Sequence, residues 1–372
     1  MTELRVAASR SHGWIGGPSA LLILGFAVYI ALMAGPRYAL LLLVGLGLGI
    51  AFEAFSFGFS GPWKRMVLQR DPAGLIAQLV AIGIVAVFAF PLLANFGHEL
   101  KGAHAPVGAG MIAGAFLFGL SMQLVLGCGS GTLVNAGSGN VVAIVALPFF
   151  VIGSFLGSLH LPFWLELGHL PVWALGGTAG LMITLAGLGL VAAFVWWLAA
   201  ADKRVIPRRF WLAAVAVAVL AVGHLVIAGQ PFGVVYGLGL WGAKGASMLG
   251  ADLSETVFWS SAGHRERLGQ SLLTDVTSLT NIGLMAGAAL VTFWRGGMTG
   301  KPQKALPVFA WGWVVLAGLL LGYSSRMAFG CNIGAFFSGI STGSLHGWVW
   351  FAVGFAGSWV GIKLRPALGL GS

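Results

Sequence analysis

Long apolar runs recur along almost the whole chain, and they restrict what it can fold into more than any other feature. A spanning helix needs about 20 mostly apolar residues. Hydrophobic residues make up 58% of the 372 positions and charged residues only 8%, whereas a soluble domain carries about 25% charged residues. We therefore expect an all-α integral membrane protein whose main partner is the lipid bilayer. The candidate spans are roughly 19–34, 38–54, 73–96, 106–126, 141–160, 172–200, 209–228, 231–250, 274–295, 305–323 and 346–364.

The net charge of +10, from 20 basic and 10 acidic residues, has two readings. Most basic residues fall in clusters between apolar segments, such as the cluster at 203–209, which is typical of the positive-inside rule. The other reading is attraction of an anionic substrate. A nucleic-acid partner is not expected, because no polar domain presents a basic face. The sequence has no ATP-binding P-loop, so ATP-driven pumping by this polypeptide alone is not expected.

The chain has two cysteines, Cys128 and Cys331, and their surroundings match. They are 203 residues apart, and at that offset Gly119 aligns with Gly322 and Ser121 with Ser324. A glycine precedes each cysteine and another follows three residues later: Gly127 and Gly131 in the first case, Gly330 and Gly334 in the second. We interpret the chain as two similar halves, each presenting one thiol on a glycine-flanked break.

This repeat predicts one transport domain over 1–372, with repeat one at about 38–160, linker helices at about 161–228 and repeat two at about 231–364. If all eleven candidates crossed, the halves would be parallel, and Arg295, Lys301 and Lys304 would lie outside, against the charge rule. The weakest candidate is 231–250, which Lys244 interrupts. If it does not cross, about ten spans remain, the halves are inverted, and both termini, with Arg5 and Arg10, lie inside. We favour this second arrangement.

Glycine-rich backbone at membrane depth must be buried in protein or line a cavity. A break that leads into a half-helix directs backbone N–H groups and a positive dipole end at one spot, which suits an anion. A thiol is a soft, weak donor and suits a sulfur-bearing ligand. A membrane-depth arginine either attracts an anion or anchors at the interface. The candidate substrate-binding residues are Cys128, Cys331, Gly127, Gly129, Gly131, Gly330, Asn332, Gly334 and Arg326.

Other polar residues receive structural roles. Asp71 and Asp275 precede apolar runs and are expected to begin helices as N-caps. Glu53 is expected to pair with Lys64 or Arg65, and His346 to cap a helix or to bind a proton or ligand. Two cysteines without a histidine at ligand spacing do not form a metal site, so we expect no metal and no cofactor.

At residues 325–340 the sequence reads SRMAFGCNIGAFFSGI, followed by GSLHGW at 343–348. This stretch resembles the C-terminal signature of the YeeE/YedE family, and 127–132 resembles its first-half counterpart. The resemblance covers about 38–364. It implies a bacterial inner-membrane protein that imports sulfur compounds, thiosulfate being the best-defined substrate. It also implies an hourglass of inverted halves whose re-entrant half-helices bring the cysteines to a central path, and a TusA-like sulfur-carrier protein as a partner.

The first aromatic break departs from the family pattern. Thiosulfate importers of this family usually have a further cysteine there, whereas this chain has none, and Ser56 and Ser60 are the candidates to replace it; the break reads Phe57-Gly58-Phe59-Ser60. The substrate is therefore thiosulfate, another sulfur anion or a selenium analogue.

Three functions remain open from the sequence. The first is a permease that passes the anion between the two thiols by S–H···S contacts, without catalysis. The second is a membrane redox or sulfurtransferase enzyme that uses Cys128 and Cys331 as disulfide or persulfide carriers. The third is a membrane scaffold in which buried thiols only fill space.

Overall fold

A computed structural model describes residues 13–296 and 306–371, with side chains from residue 17 onward. Apart from two isolated bridges between loops, the regular structure of this part is helical. A π-helical turn at Asn332–Phe337 continues as a short helix, Ser338–Ser341, and together we call 332–341 the re-entrant helix. The other helices are α1 (Gly13–Met33), α2 (Pro36–Ala54), α3 (Ser60–Gln69), α4 (Ala73–Asn95), α5 (Ala109–Leu124), α6 (Gly129–Gly137), α7 (Val141–Glu166), α8 (Gly177–Leu198), α9 (Arg208–Ala228), α10 (Val235–Met248), α11 (Ala262–Gly269), α12 (Val276–Trp294), α13 (Val308–Met327) and α14 (Leu345–Leu364).

Nine helical segments of the described chain are long and apolar enough to cross a membrane, and Gly17–Met33 is a shorter apolar helix. These segments coincide with ten of the eleven candidates from the sequence. The eleventh, 231–250, contains α10, which has 14 residues and is not among the spans. The prediction of a polytopic helical membrane protein is confirmed, with nine candidate spans in the described chain, and α10 in 231–250 is shorter than all of them.

Hydrogen bonds between loops show which helix ends lie together. Arg295, after α12, donates to the carbonyl of Ala54 at the end of α2 at 2.7 Å. Arg365, after α14, donates to the carbonyl of Leu124 at the end of α5 at 2.8 Å. At the other face, Arg37 in the first turn of α2 donates to the carbonyl of Ile227 at the end of α9 at 2.7 Å.

The two faces differ in charge. Within the described chain, the face that holds Arg295 and Arg365 carries ten basic and three acidic residues, and the other face carries six of each. We call the first the basic face and the second the neutral face. Lys301 and Lys304, like Arg5 and Arg10, lie outside the described residues. By the positive-inside rule, the basic face is the one expected in the cytoplasm.

The counterpart helices α4 and α12 run in opposite directions. The start of α4 lies at the basic face, because the Ala200 amide, after α8, donates to the Arg70 carbonyl at 3.1 Å. The end of α12 lies at the same face, at Arg295. Opposite directions are what inverted halves require, while the superposition of the two halves stays a prediction.

Small residues let α2 and α12, which form one of the two most extensive contacts between the halves, pack closely. Gly45 of α2 faces Thr280 of α12 so tightly that an ideal Cβ at Gly45 would lie 2.9 Å from the Thr280 Cα. From the other side, a Cβ at Gly283 would lie 2.7 Å from the Leu46 amide nitrogen. Membrane helices gain stability from such backbone-to-backbone packing, because lipid tails are as apolar as the side chains they would displace.

The expected capping roles hold at one aspartate and change at the other. Asp275 is the N-cap of α12 and accepts from the Ser278 amide at 2.7 Å. Asp71 lies one residue before the N-cap of α4; it accepts from the Ala73 amide at 3.0 Å and pairs with Arg65 at 3.3 Å.

The expected ion pair of Glu53 is wrong. Its carboxylate accepts from the Ser138 hydroxyl at 2.8 Å, because the end of α2 packs on the turn between α6 and α7. Arg65 instead pairs with Asp71, which leaves the Glu53 carboxylate to the Ser138 hydroxyl.

Candidate functional site

The two cysteine-bearing breaks lie against each other in the buried centre. Cys128 is the N-cap of α6 and Cys331 the N-cap of the re-entrant helix; both thiols are free and fully buried. An ideal Cβ on Gly129 would lie 2.7 Å from the Cys331 Sγ and 3.0 Å from its Cβ. The Cys331 thiol therefore packs on the bare Cα of the residue that follows Cys128.

The beginning of α6 surrounds the Cys128 thiol with donors. The Gly131 amide donates to the Sγ at 3.4 Å, and the Ser130 hydroxyl lies 3.4 Å from it. The Thr132 hydroxyl donates to the Cys128 carbonyl at 2.8 Å and fixes the turn. The Cys128 thiol thus lies at the start of α6, where the backbone N–H groups and the positive end of the helix dipole favour negative charge on a bound group.

The glycines around the cysteines have different roles. A Cβ at Gly127 would lie 2.7 Å from the Thr132 Oγ1, and Gly330 has φ +149° with the Ala335 amide nitrogen 2.7 Å from the position of a Cβ. These two positions, like Gly129, need glycine. Gly131 has only the Cys128 Sγ at 3.4 Å, and Gly334 has nothing within 4 Å, so both have room for a methyl group.

The residues just before Gly127 and Gly330 carry backbone strain that the sequence did not indicate. Leu126 and Phe329 have φ +53° and +54°, a left-handed conformation that is uncommon for large side chains. They are 203 residues apart, so both breaks turn in the same way. Strain of this kind persists only where surrounding packing enforces it, and it clusters at functional sites.

Asn332, next to Cys331, is fully buried, and within the described chain neither its Oδ1 nor its Nδ2 has a hydrogen-bond partner. Buried amides are almost always paired. An unpaired amide beside the thiol leaves one donor group and one acceptor group available to a ligand.

The first aromatic break packs on the same centre although it has no cysteine. The Phe59 ring meets the Phe336 and Phe337 rings edge to face, with centroids 6.1 and 6.3 Å apart. Of the two serines considered as replacements for a thiol, Ser60 is buried and Ser56 is exposed. The two cysteine-bearing breaks are thus in contact with each other, and the first aromatic break packs on the re-entrant helix that follows Cys331.

A cavity of about 320 Å³ leads from the neutral face to the Cys331 break. Gly330 and Gly334 form its floor, and the lining that matters for charge consists of His104, Tyr236, Arg326 and His346. Its volume lies at the lower end of the range for ligand sites, which suits a small ion. Cys331, Asn332 and the first motif lie behind this floor and do not line the cavity.

Arg326, one of the candidate substrate-binding residues, lies half-buried in the cavity wall. Its Nε donates to the Ser154 carbonyl at 3.3 Å, and its Cζ lies 5.5 Å from the Tyr236 ring centroid and 5.2 Å from that of Phe258. The Nη2 atom has no hydrogen-bond partner, and no carboxylate of the described chain pairs with this arginine. Aromatic faces instead of a carboxylate hold the cation, which leaves its charge for an anion.

The segment around α11 closes the outer side of this wall. The Tyr236 hydroxyl lies 2.9 Å from the His264 Nδ1, and the His264 ring stacks on Phe258 with centroids 4.2 Å apart. Burial, followed by the charges of Arg326 and Arg267, lowers the pKa of His264 below its usual range. The neutral imidazole therefore belongs to the packed arrangement.

His346 is not the helix cap considered from the sequence. Ser344 is the N-cap of α14, and its hydroxyl lies 2.7 Å from the His346 Nδ1. The sequence pointed to this histidine only through its motif, whereas Tyr236 and His104 carried no signal, because their approach to the cavity depends on the folding of distant segments.

Comparisons with known proteins agree with this architecture. The model of a family described as sulphur transport matches residues 56–360. A thiosulfate transporter, TsuA, of Spirochaeta thermophila is 26% identical over 336 residues, covering 86% of this chain and 96% of that protein. A probable transporter, YedE, of Escherichia coli is 27% identical over 160 residues, 42% of this chain and 38% of its own. The TsuA of Escherichia coli is 29% identical over 120 residues, 32% of this chain and 34% of its own. The matched region of this multi-pass helical protein holds all three breaks. The chain therefore belongs to the sulphur-transport (YeeE/YedE) family.

Proposed function

We propose that the chain is a permease that imports thiosulfate or a related sulfur anion across the bacterial inner membrane. The observation that carries the proposal is the contact of the Cys331 thiol with Gly129, the residue next to Cys128, at the end of an arginine-containing cavity. The similarity to a thiosulfate transporter over 86% of the chain supports the substrate class.

The anion enters the cavity from the neutral face, where Arg326 offsets part of its charge. It then passes the Cys331 thiol and the Cys128 thiol through S–H···S contacts, without covalent chemistry. The amides at the start of α6 and the side-chain amide of Asn332 bind its oxygens on the way. Several weak stations in series allow passage, because each binds the ion without trapping it.

The basic face then lies in the cytoplasm, in accordance with the positive-inside rule. Its cluster at 203–209 is the surface on which a TusA-like sulfur-carrier protein would receive the anion. The inverted repeats, 38–160 and 231–364, supply one thiol each to the path.

Uptake of ³⁵S-thiosulfate by cells that lack other importers tests the proposal. Cys128→Ala and Cys331→Ala are each expected to abolish uptake at matched membrane expression, whereas His169→Ala, in an exposed loop, is expected to retain it. Uptake that survives both cysteine substitutions would contradict the two-thiol path. A change of gel mobility on reduction that accompanies turnover would favour the sulfurtransferase alternative.

A further inference from the structure

A buried imidazole faces the cavity with one nitrogen unpaired. His346 is 1% exposed, and its Nε2 has no hydrogen-bond partner in the described chain. Its other nitrogen is fixed by the Ser344 hydroxyl at 2.7 Å, so the ring cannot turn to satisfy Nε2 elsewhere without losing that bond. A buried polar atom without a partner is uncommon and calls for a ligand, a proton or a water molecule.

The positive charge that lines the cavity is too small to offset the two negative charges of a divalent anion. Among the described residues, Arg326 is the one that lines the cavity with a permanent charge, and none of the described Asp or Glu residues lines it. Of the other titratable groups that face it, His104 is engaged through Nε2 with the Thr342 carbonyl at 2.9 Å, and Tyr236 through its hydroxyl with His264. Behind this wall, the buried Asp275 pairs with Arg267 at 3.5 Å, so neither charge is free.

Thiosulfate carries two negative charges at neutral pH, and one arginine offsets one of them. An uncompensated charge inside a membrane protein is unfavourable. Histidine is the side chain that gains a proton near neutral pH when an anion arrives beside it. A proton on the unpaired Nε2 of His346 therefore offsets the second negative charge with the least change to the structure.

We propose that His346, with its Nδ1–H donating to the Ser344 hydroxyl oxygen and its Nε2 bare, takes up one proton at Nε2 when the cavity binds a divalent sulfur anion, so that access of the anion to the path is coupled to a proton. The proton comes from the solution on the neutral face, no covalent bond other than N–H is formed or broken, and the proton leaves when the anion moves on. This coupling rests on the proposed function and adds a pH dependence to it. By linkage, the anion strengthens proton binding by the same factor by which the proton strengthens anion binding.

Isothermal titration of the purified full-length protein with sodium thiosulfate tests this. Titrations at pH 7.5 in two buffers of different ionisation enthalpy give the number of protons taken up per anion. The expected ratio for the parent approaches one, and its Kd weakens by up to about tenfold per pH unit between pH 7 and 8, the limit for one linked proton. His346→Gln keeps an N–H donor but accepts no proton, so its ratio is expected to fall to zero and its Kd to become independent of pH.

His169→Gln is the control, because it makes the same substitution at an exposed histidine that does not line this cavity; it is expected to keep the proton uptake. His346→Asn is the second variant if the glutamine is not accommodated, and the parent ratio is informative without either. A parent that binds thiosulfate without taking up a proton overturns the coupling alone and leaves the permease standing. Proton uptake that persists in His346→Gln also overturns it, whereas a parent that binds no sulfur anion overturns the proposed function as well.

Discussion

Replacing Gly129 by alanine tests whether the two cysteine-bearing breaks are packed as described. The added Cβ would lie 2.7 Å from the Cys331 Sγ, whereas ordinary contact begins at 3.4 Å, so the thiol or the start of α6 must shift by about 0.7 Å. The thiol is fully buried in a centre with aromatic rings on one side, and it has little room to move. Overpacking of this kind costs about 1–3 kcal/mol.

The matched control is Gly131→Ala, two residues further along the same helix. There the Cβ meets only the Cys128 Sγ, at 3.4 Å, so the steric cost is small. Both substitutions gain up to about 1 kcal/mol of helix propensity, because alanine is favoured over glycine in a helix. The propensity gain cancels in the comparison, and Gly129→Ala is expected to be less stable than Gly131→Ala by about 1–3 kcal/mol.

The thermal midpoint of the purified proteins and ³⁵S-thiosulfate uptake are the two measurements. Gly129→Ala is expected to lower both the midpoint and the uptake. Combination with Cys331→Ala removes the Sγ contact and leaves only that with the Cβ at 3.0 Å, so part of the stability should return as a coupling of roughly 0.5–3 kcal/mol. Equal midpoints for Gly129→Ala and Gly131→Ala, together with unchanged uptake, would refute the packing of Cys331 on Gly129.

Three further predictions concern the cavity and the first break. Arg326→Gln is expected to raise the KM for uptake roughly 10- to 100-fold, from the ~1.5–3 kcal/mol of a hydrogen bond to a charged group; an unchanged KM contradicts its role. Gly58→Cys has nothing within 4 Å of its Cβ, so it should fold normally and increase uptake by adding the thiol that the family resemblance leads us to expect in this break, and a lower rate at equal expression speaks against this. Because the packed state lowers the pKa of His264, its stabilisation of the α11 segment is complete at high pH and is lost as the pH falls below the usual imidazole value of about 6.5. The protection factors of the amides at 258–268, which correct hydrogen-exchange rates for their intrinsic pH dependence, should therefore fall between pH 7.5 and 5.5 more in the parent than in His264→Gln, and an equal fall argues against it.

The sequence alone was sufficient for the membrane class and for the segments that cross. Apolar runs of spanning length identify themselves, because every backbone polar group in lipid must be paired within its own helix. The two glycine-flanked cysteines were visible for a similar reason, since glycine interrupts an apolar helix wherever it clusters. The Asp275 cap also followed from the sequence, because capping depends on residues three positions apart.

Tertiary structure decided what no local pattern contains. It placed Cys331 on Gly129 across about 200 residues of chain, gave Glu53 a serine instead of a cation, and separated the glycines that must lack a side chain from those that need not. It also enclosed Arg326 between aromatic rings from α10 and from the segment before α11, and turned His346 toward the cavity. These outcomes depend on distances between atoms far apart in sequence, and such distances are fixed only when all the helices pack together.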